Sequence, residues 1–118
     1  MKFLVIDDNA VDRLFLSSLL KEMGHQVEAF DSTAGILEKI ADGQYSSVFL
    51  DIVMPDKDGY KFLRELRLNQ LTTDQHVIFC STKATKVEVN YGLNRAGAND
   101  YLVKPVTRDR LEQIIRKI

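Results

Sequence analysis

The sequence predicts an α/β protein whose parallel sheet is covered by helices. Short apolar runs alternate with amphipathic stretches along the whole chain, the pattern of strands joined by helical crossovers. Four of the five apolar runs end directly on a polar group able to do chemistry. The 118 residues, 45% hydrophobic and 28% charged, suit one ordinary core and a single domain over residues 1–118.

The first run, Phe3-Leu4-Val5-Ile6, precedes a helical segment over Ala10 to Met23 that stops at Gly24. Val11, Phe15, Ser18 and Leu19 share one face of it and are its expected buried stripe. Gln26 to Phe30 alternates like an edge strand. Ser32 is the expected cap of a helix carrying Ile36, Leu37 and Ile40 before Gly43. The third strand, Val48-Phe49-Leu50, ends on Asp51. The polar loop Met54-Pro55-Asp56-Lys57-Asp58-Gly59 then leads into a helix with Phe62, Leu63 and Leu66 inward. Val77 to Cys80 ends on Ser81, and the next helix aligns Val89, Gly92, Leu93 and Ala96 before a stop at Gly97. Tyr101-Leu102-Val103 ends on Lys104-Pro105. Thr107 then caps a last helix with Leu111, Ile114, Ile115 and Ile118 at core spacing.

Several function classes recede on composition. A net charge of −1 gives no electrostatic footprint for nucleic acid, and no apolar run is long enough for a membrane span or signal peptide. A cytoplasmic protein is expected. The lone cysteine, Cys80, lies inside an apolar strand and reads as a buried, inert thiol.

Parallel strands place their C-terminal ends on one edge, so Asp7-Asp8, Asp51, Ser81 and Lys104 are expected to assemble one site there. Crowded carboxylates repel one another unless a cation compensates. With oxygen ligands only, and no thiolate or imidazole in the motif, magnesium is the ion that fits. His25 and His76 stand at strand entrances on the opposite edge and receive no role. Asp51, at the end of the third strand, is the candidate nucleophile for a phosphoryl group. Lys104 supplies a point charge and Ser81 a hydroxyl donor.

Taken together, Asp7-Asp8, Asp51 with Met54-Pro55 and Asp58-Gly59, Ser81, Gly97-Ala98, Asp100-Tyr101 and Lys104-Pro105 resemble the receiver domain of two-component response regulators, from Phe3 to Ile118. The stretches around Asp51, Ser81 and Lys104 look like stand-alone regulators of chemotaxis and type IV pilus motility. The resemblance implies a flavodoxin-like, doubly wound five-stranded sheet of order 2-1-3-4-5 with five helices. It implies that Asp51 is phosphorylated by a sensor histidine kinase or histidine phosphotransfer protein. Asp8 would ligate magnesium directly, Asp7 largely through water, and Val53 through its backbone carbonyl. Ser81 and Lys104 would bind the phosphoryl group, and Tyr101 would be the aromatic that switches between inward and outward positions. The face made by the fourth helix, fifth strand and fifth helix, with Lys86, Val87, Asn90, Tyr91 and Asn94 outward, would then control a downstream effector protein. Such a domain catalyses only its own phosphorylation and dephosphorylation and contacts neither nucleic acid nor membrane.

Rival readings meet specific obstacles. A phosphatase of the haloacid dehalogenase type needs a second aspartate two residues after its nucleophile, where Val53 stands. A flavin carrier needs a hydroxyl- and glycine-rich phosphate loop after strand one, where Asp7-Asp8-Asn9 would repel phosphate. A docking-only pseudo-receiver would have no need of the phosphorylation residues, all of which are present.

Overall fold

A computed structural model describes residues 1–55 and 57–118; Asp56, in the expected polar loop, lies outside the described residues. In chain order the elements are β1 (Lys2–Ile6), α1 (Ala10–Glu22), β2 (Gln26–Phe30), α2 (Ile36–Asp42) and β3 (Ser47–Asp51). They continue with α3 (Gly59–Leu68), β4 (Val77–Ser81), α4 (Lys86–Asn90) running into a π-helical turn (Tyr91–Arg95), β5 (Asp100–Val103) and α5 (Arg108–Ile115). The strands form one parallel sheet of order β2-β1-β3-β4-β5, the expected fold class.

Side chains of a strand alternate between faces, and here both faces are covered. Leu4, Ile6, Leu50, Phe79 and Tyr101 meet α2, α3 and α4 on one side. Phe3, Val5, Phe49, Ile78 and Leu102 meet α1 and α5 on the other. Burial on both faces explains why the central strands read as continuous apolar runs. Asn9, Asp58, Thr85 and Thr107 accept from the backbone N–H groups of Asp12, Lys61, Glu88 and Arg110, so four helices start on side-chain caps. At Thr85 the Glu88 side chain reciprocates, completing a capping box. Gly24 and Gly97 take positive φ at the expected helix stops.

Two expectations are corrected. The buried stripe of α1 is Leu16, Ser17 and Leu20, whereas Val11 and Phe15 are exposed, as is Ser18, and Leu19 is only half-buried. This helix has apolar residues on several sides, and the sheet takes the stripe that continues to Met23. Ser32 does not cap α2. The helix starts at Ile36 behind Gly35, whose left-handed backbone turns the chain, while the Ser32 hydroxyl accepts from the nearby Ala34 N–H. The fourth helix turns the expected stripe inward, with Gly92 buried and Val89, Leu93 and Ala96 partly buried against the core, but its second turn is wider than α, with the Ala96 N–H donating to the Tyr91 carbonyl five residues back.

Candidate functional site

The polar ends of the strands converge as the spacing requires. Asp7 and Asp8 follow β1, Asp51 closes β3, Ser81 closes β4 and Lys104 follows β5, all on one sheet edge. Carboxylate oxygens of Asp7, Asp8 and Asp51 lie within 4.8 Å of one another. Asp7 and Asp51 are buried, whereas Asp8 faces solvent.

Lys104 ties this cluster together. Its Nζ stands 2.9 Å from Asp7 Oδ2, 3.1 Å from Asp12 Oδ2 and 3.5 Å from Asp51 Oδ1. Burial pulls the lysine's pKa down, but the facing Asp7 and Asp51 carboxylates outweigh it and hold the ammonium form well above its usual range. Asp51 moves the other way from an ordinary carboxylate. Desolvation and the Asp7 charge raise its pKa to about 7, against the opposing pull of Lys104. The cleft thus holds more negative charge than one lysine offsets. Three convergent oxygen donors with such a surplus fit a hard divalent cation such as magnesium.

Local packing holds this geometry. The Asn9 N–H donates to Asp7 Oδ1 at 2.9 Å, and Arg13 donates to the Asp7 carbonyl at 2.8 Å, so the first turn of α1 fixes the loop after β1. A methyl group on Gly59 would sit 2.5 Å from the Asp51 carbonyl oxygen and 2.9 Å from Ile52 Cα. Only glycine allows α3 to begin this close to the end of β3, where the Gly59 N–H donates to the Ile52 carbonyl at 2.7 Å. Val53 is largely exposed at the rim.

Ser81 is buried, and its hydroxyl accepts from the Lys83 N–H at 3.1 Å. Tyr101 is turned inward, 3% exposed, and its hydroxyl donates to the Lys83 carbonyl at 2.7 Å. One loop residue, Lys83, therefore contacts both expected switch side chains through its backbone. Outside, Lys86, Val87, Asn90, Tyr91 and Asn94 are all exposed, with the Tyr91 ring edge-on to Tyr60 of α3. His25 and His76 lie away from the acids: His25 Nδ1 is 3.1 Å from the N-terminal amine, and His76 Nδ1 is 2.8 Å from the Ser47 hydroxyl. Cys80 is buried with its thiol pKa pushed up by desolvation, as expected of an inert group.

Asp12 is the site residue that the strand-end argument missed. It lies on α1, and the signal for it was helical: five residues after Asp7, it sits on the first turn of a helix that starts beside the acidic pair.

Residues 3–116 match the response regulator receiver domain, and the chain belongs to that family. It is a receiver domain of two-component signalling. It is 33% identical to the hybrid signal transduction histidine kinase L of Dictyostelium discoideum over 121 aligned residues, covering 98% of this chain but 7% of that kinase. The chain thus spans a small part of the curated relatives it matches. Among solved structures, the receiver domain of the sensor histidine kinase PA1611 of Pseudomonas aeruginosa, with magnesium coordinated in its active-site cleft, is 26% identical. Its TM-score is 0.87, with 98% of this chain and 94% of that one covered. The chemotaxis protein CheY4 of Vibrio cholerae superposes with a TM-score of 0.87 at 22% identity, over 99% of this chain and 97% of that one, which shows the shared fold.

Proposed function

We propose that residues 1–118 act as one phosphorylation-dependent switch, with Asp51 accepting a phosphoryl group from the phosphohistidine of a sensor histidine kinase or histidine phosphotransfer protein. The observation that carries this reading is the buried Asp51 carboxylate facing Lys104, with Asp7 and Asp8 close enough to share a cation. An Asp51 oxygen attacks phosphorus, the phosphorus–nitrogen bond to the imidazole breaks, and its electron pair stays on the departing nitrogen. Asp7, Asp8, Asp51 and the Val53 carbonyl are the groups that would hold magnesium. The ion would supply positive charge against the phosphoryl oxygens. Lys104 exchanges its contact with Asp51 for one with a phosphoryl oxygen, and Ser81 donates its hydroxyl hydrogen to another.

Drawing the Ser81 oxygen toward the phosphoryl group shifts the acceptor of the Lys83 N–H, and the same residue's carbonyl holds Tyr101. Phosphorylation therefore biases a loop that both side chains share, and Tyr101 moves with it, a two-state change driven by differential contacts. Val87 and Tyr91, apolar and exposed on the face of α4, β5 and α5, supply the surface an effector protein would read. Among the described residues no helix is long and apolar enough to cross a membrane. We place the domain in the cytoplasm, without direct contact to nucleic acid and without turnover of an external substrate beyond its phosphoryl donor. The test is incubation with magnesium and a small acyl-phosphate donor, followed by the intact mass. One phosphoryl adduct, absent in Asp51→Asn, is expected; no adduct, or an unchanged adduct in the variant, overturns the reading.

A further inference from the structure

A second groove lies between α3 and the π-helical turn, away from the acidic cleft. It is open, about 650 Å³ in volume, and is walled by Tyr60, Lys61, Arg64 and Leu68 on one side and Tyr91 and Arg95 on the other. Lys61, Arg64 and Arg95 are exposed and make no ion pair among the described residues. Two further charged groups line the groove, and both keep their charge. Asp58 caps α3, and the Arg67 guanidinium donates to the carbonyls of Thr73, Gln75 and Gly97 and to the Asn99 side chain. Four cations, Lys61, Arg64, Arg67 and Arg95, against the single Asp58 carboxylate leave this groove positive in a chain whose net charge is −1. Such an excess of positive charge favours anionic groups.

The walls also carry apolar surface. Leu68 is 78% exposed, and the Tyr91 ring is half-exposed. Carboxylates alone would leave that surface wet, whereas a peptide with acidic and apolar side chains covers both. Tyr91 meets Tyr60 edge to face at 5.0 Å, Tyr60 meets Phe79 at 5.4 Å, and Phe79 meets Tyr101 at 6.2 Å. An unbroken chain of rings therefore runs from the groove wall to the inward tyrosine.

We propose that this groove docks an acidic, partly apolar peptide segment of the effector protein, and that its occupancy is linked to the position of Tyr101. This rests on the switch reading for its second half only. By reciprocity, a phosphoryl mimic at Asp51 that moves Tyr101 changes peptide affinity, and peptide changes the affinity for the mimic by the same factor.

The probe is a fluorescein-labelled peptide of alternating glutamate and leucine, with a glutamine–leucine peptide as control, read by anisotropy and by amide shifts on the full chain. Binding of the acidic peptide alone is expected, with shifts at Tyr60, Lys61, Arg64, Tyr91 and Arg95 and weakening by added salt. Arg64→Glu with Arg95→Glu should weaken it about ten-fold while the Asp51 adduct still forms. Affinity should differ between the free protein and the protein loaded with magnesium and beryllofluoride. Equal binding of both peptides, or no loss in the charge-reversed variant, overturns the proposal. So do stronger shifts at these residues with a DNA duplex or inorganic phosphate, which would assign the groove to phosphate. Equal affinity with and without beryllofluoride overturns the linkage. A wild-type chain that forms no adduct at all defeats the switch reading and leaves peptide docking to the free protein decided by the same titration.

Discussion

In metal-free protein the Asp51 carboxyl should cost stability progressively as pH rises from about 4 to about 7, a contribution that Asp51→Asn should remove. The folded Asp51 carboxyl is raised from its ordinary 3.8 to about 7, so over this window the folded chain holds a proton that the unfolded chain has released. The slope of unfolding free energy with pH is then negative for this group. Its cost is absent below the unfolded pKa, grows through the window and is complete above the folded pKa. The shift sets a ceiling of about 4 kcal/mol, and screening by water in the open cleft brings the expected effect to about 1–2 kcal/mol. Urea unfolding of wild type and Asp51→Asn in a chelator, at about pH 4 and about pH 8, measures it. The variant should gain on wild type between the two pH values, and magnesium should restore wild type alone, because an ion bound only to the folded state stabilises it by mass action. If the variant is no more stable than wild type at the higher pH, the crowded-charge account of the cleft is wrong.

Four further outcomes are expected. Asp8→Asn with Asp51→Asn should abolish magnesium binding by calorimetry, since it leaves one carboxylate of three. Lys104→Met strands Asp7 and Asp51, and should cost about 2 kcal/mol in urea unfolding, less than a fully dry pair because Asp51 can take up a proton. Gly92→Ala would place a methyl 3.0 Å from the Tyr101 ring and 3.2 Å from Phe79. It should cost about 1–3 kcal/mol and raise the solvent exposure of Tyr101 in ring NMR spectra without phosphorylation, and an unchanged ring environment would refute the contact's role. Val53→Asn with Lys83→Glu should shorten the life of the phosphoryl adduct in excess magnesium, because the apolar Val53 cannot orient a water and Lys83 cannot accept a proton from one. Equal or slower decay refutes it.

Much of this arrangement was legible in the sequence because two independent periodicities agreed. Apolar runs of strand length put Asp7, Asp51, Ser81 and Lys104 at strand ends, and parallel pairing carries such ends to one edge whatever the details of the helices. The illegible parts are those where the local pattern admits two solutions. On α1, the stripe of Val11 and Phe15 competes with that of Leu16 and Leu20, and the sheet decides between them. A serine before a helix can cap it or close a turn, and the left-handed Gly35 made Ser32 do the second. The π-helical turn leaves Val89, Gly92, Leu93 and Ala96 inward, as an α-helix would, so residue spacing does not reveal the wider turn. Asp12 stands at no strand end, and its contact with Lys104 depends on where α1 begins.

The most direct test of the central claim is to phosphorylate the chain with magnesium and a small acyl-phosphate donor, reduce the product with borohydride, and locate the modified residue by peptide mass spectrometry. An aspartyl phosphate is reduced to homoserine, whereas unmodified carboxylates are not. Homoserine at position 51 alone is the predicted result. Homoserine at position 7, 8 or 12, or none after an adduct has formed, would contradict the assignment of Asp51 as the phosphoryl acceptor.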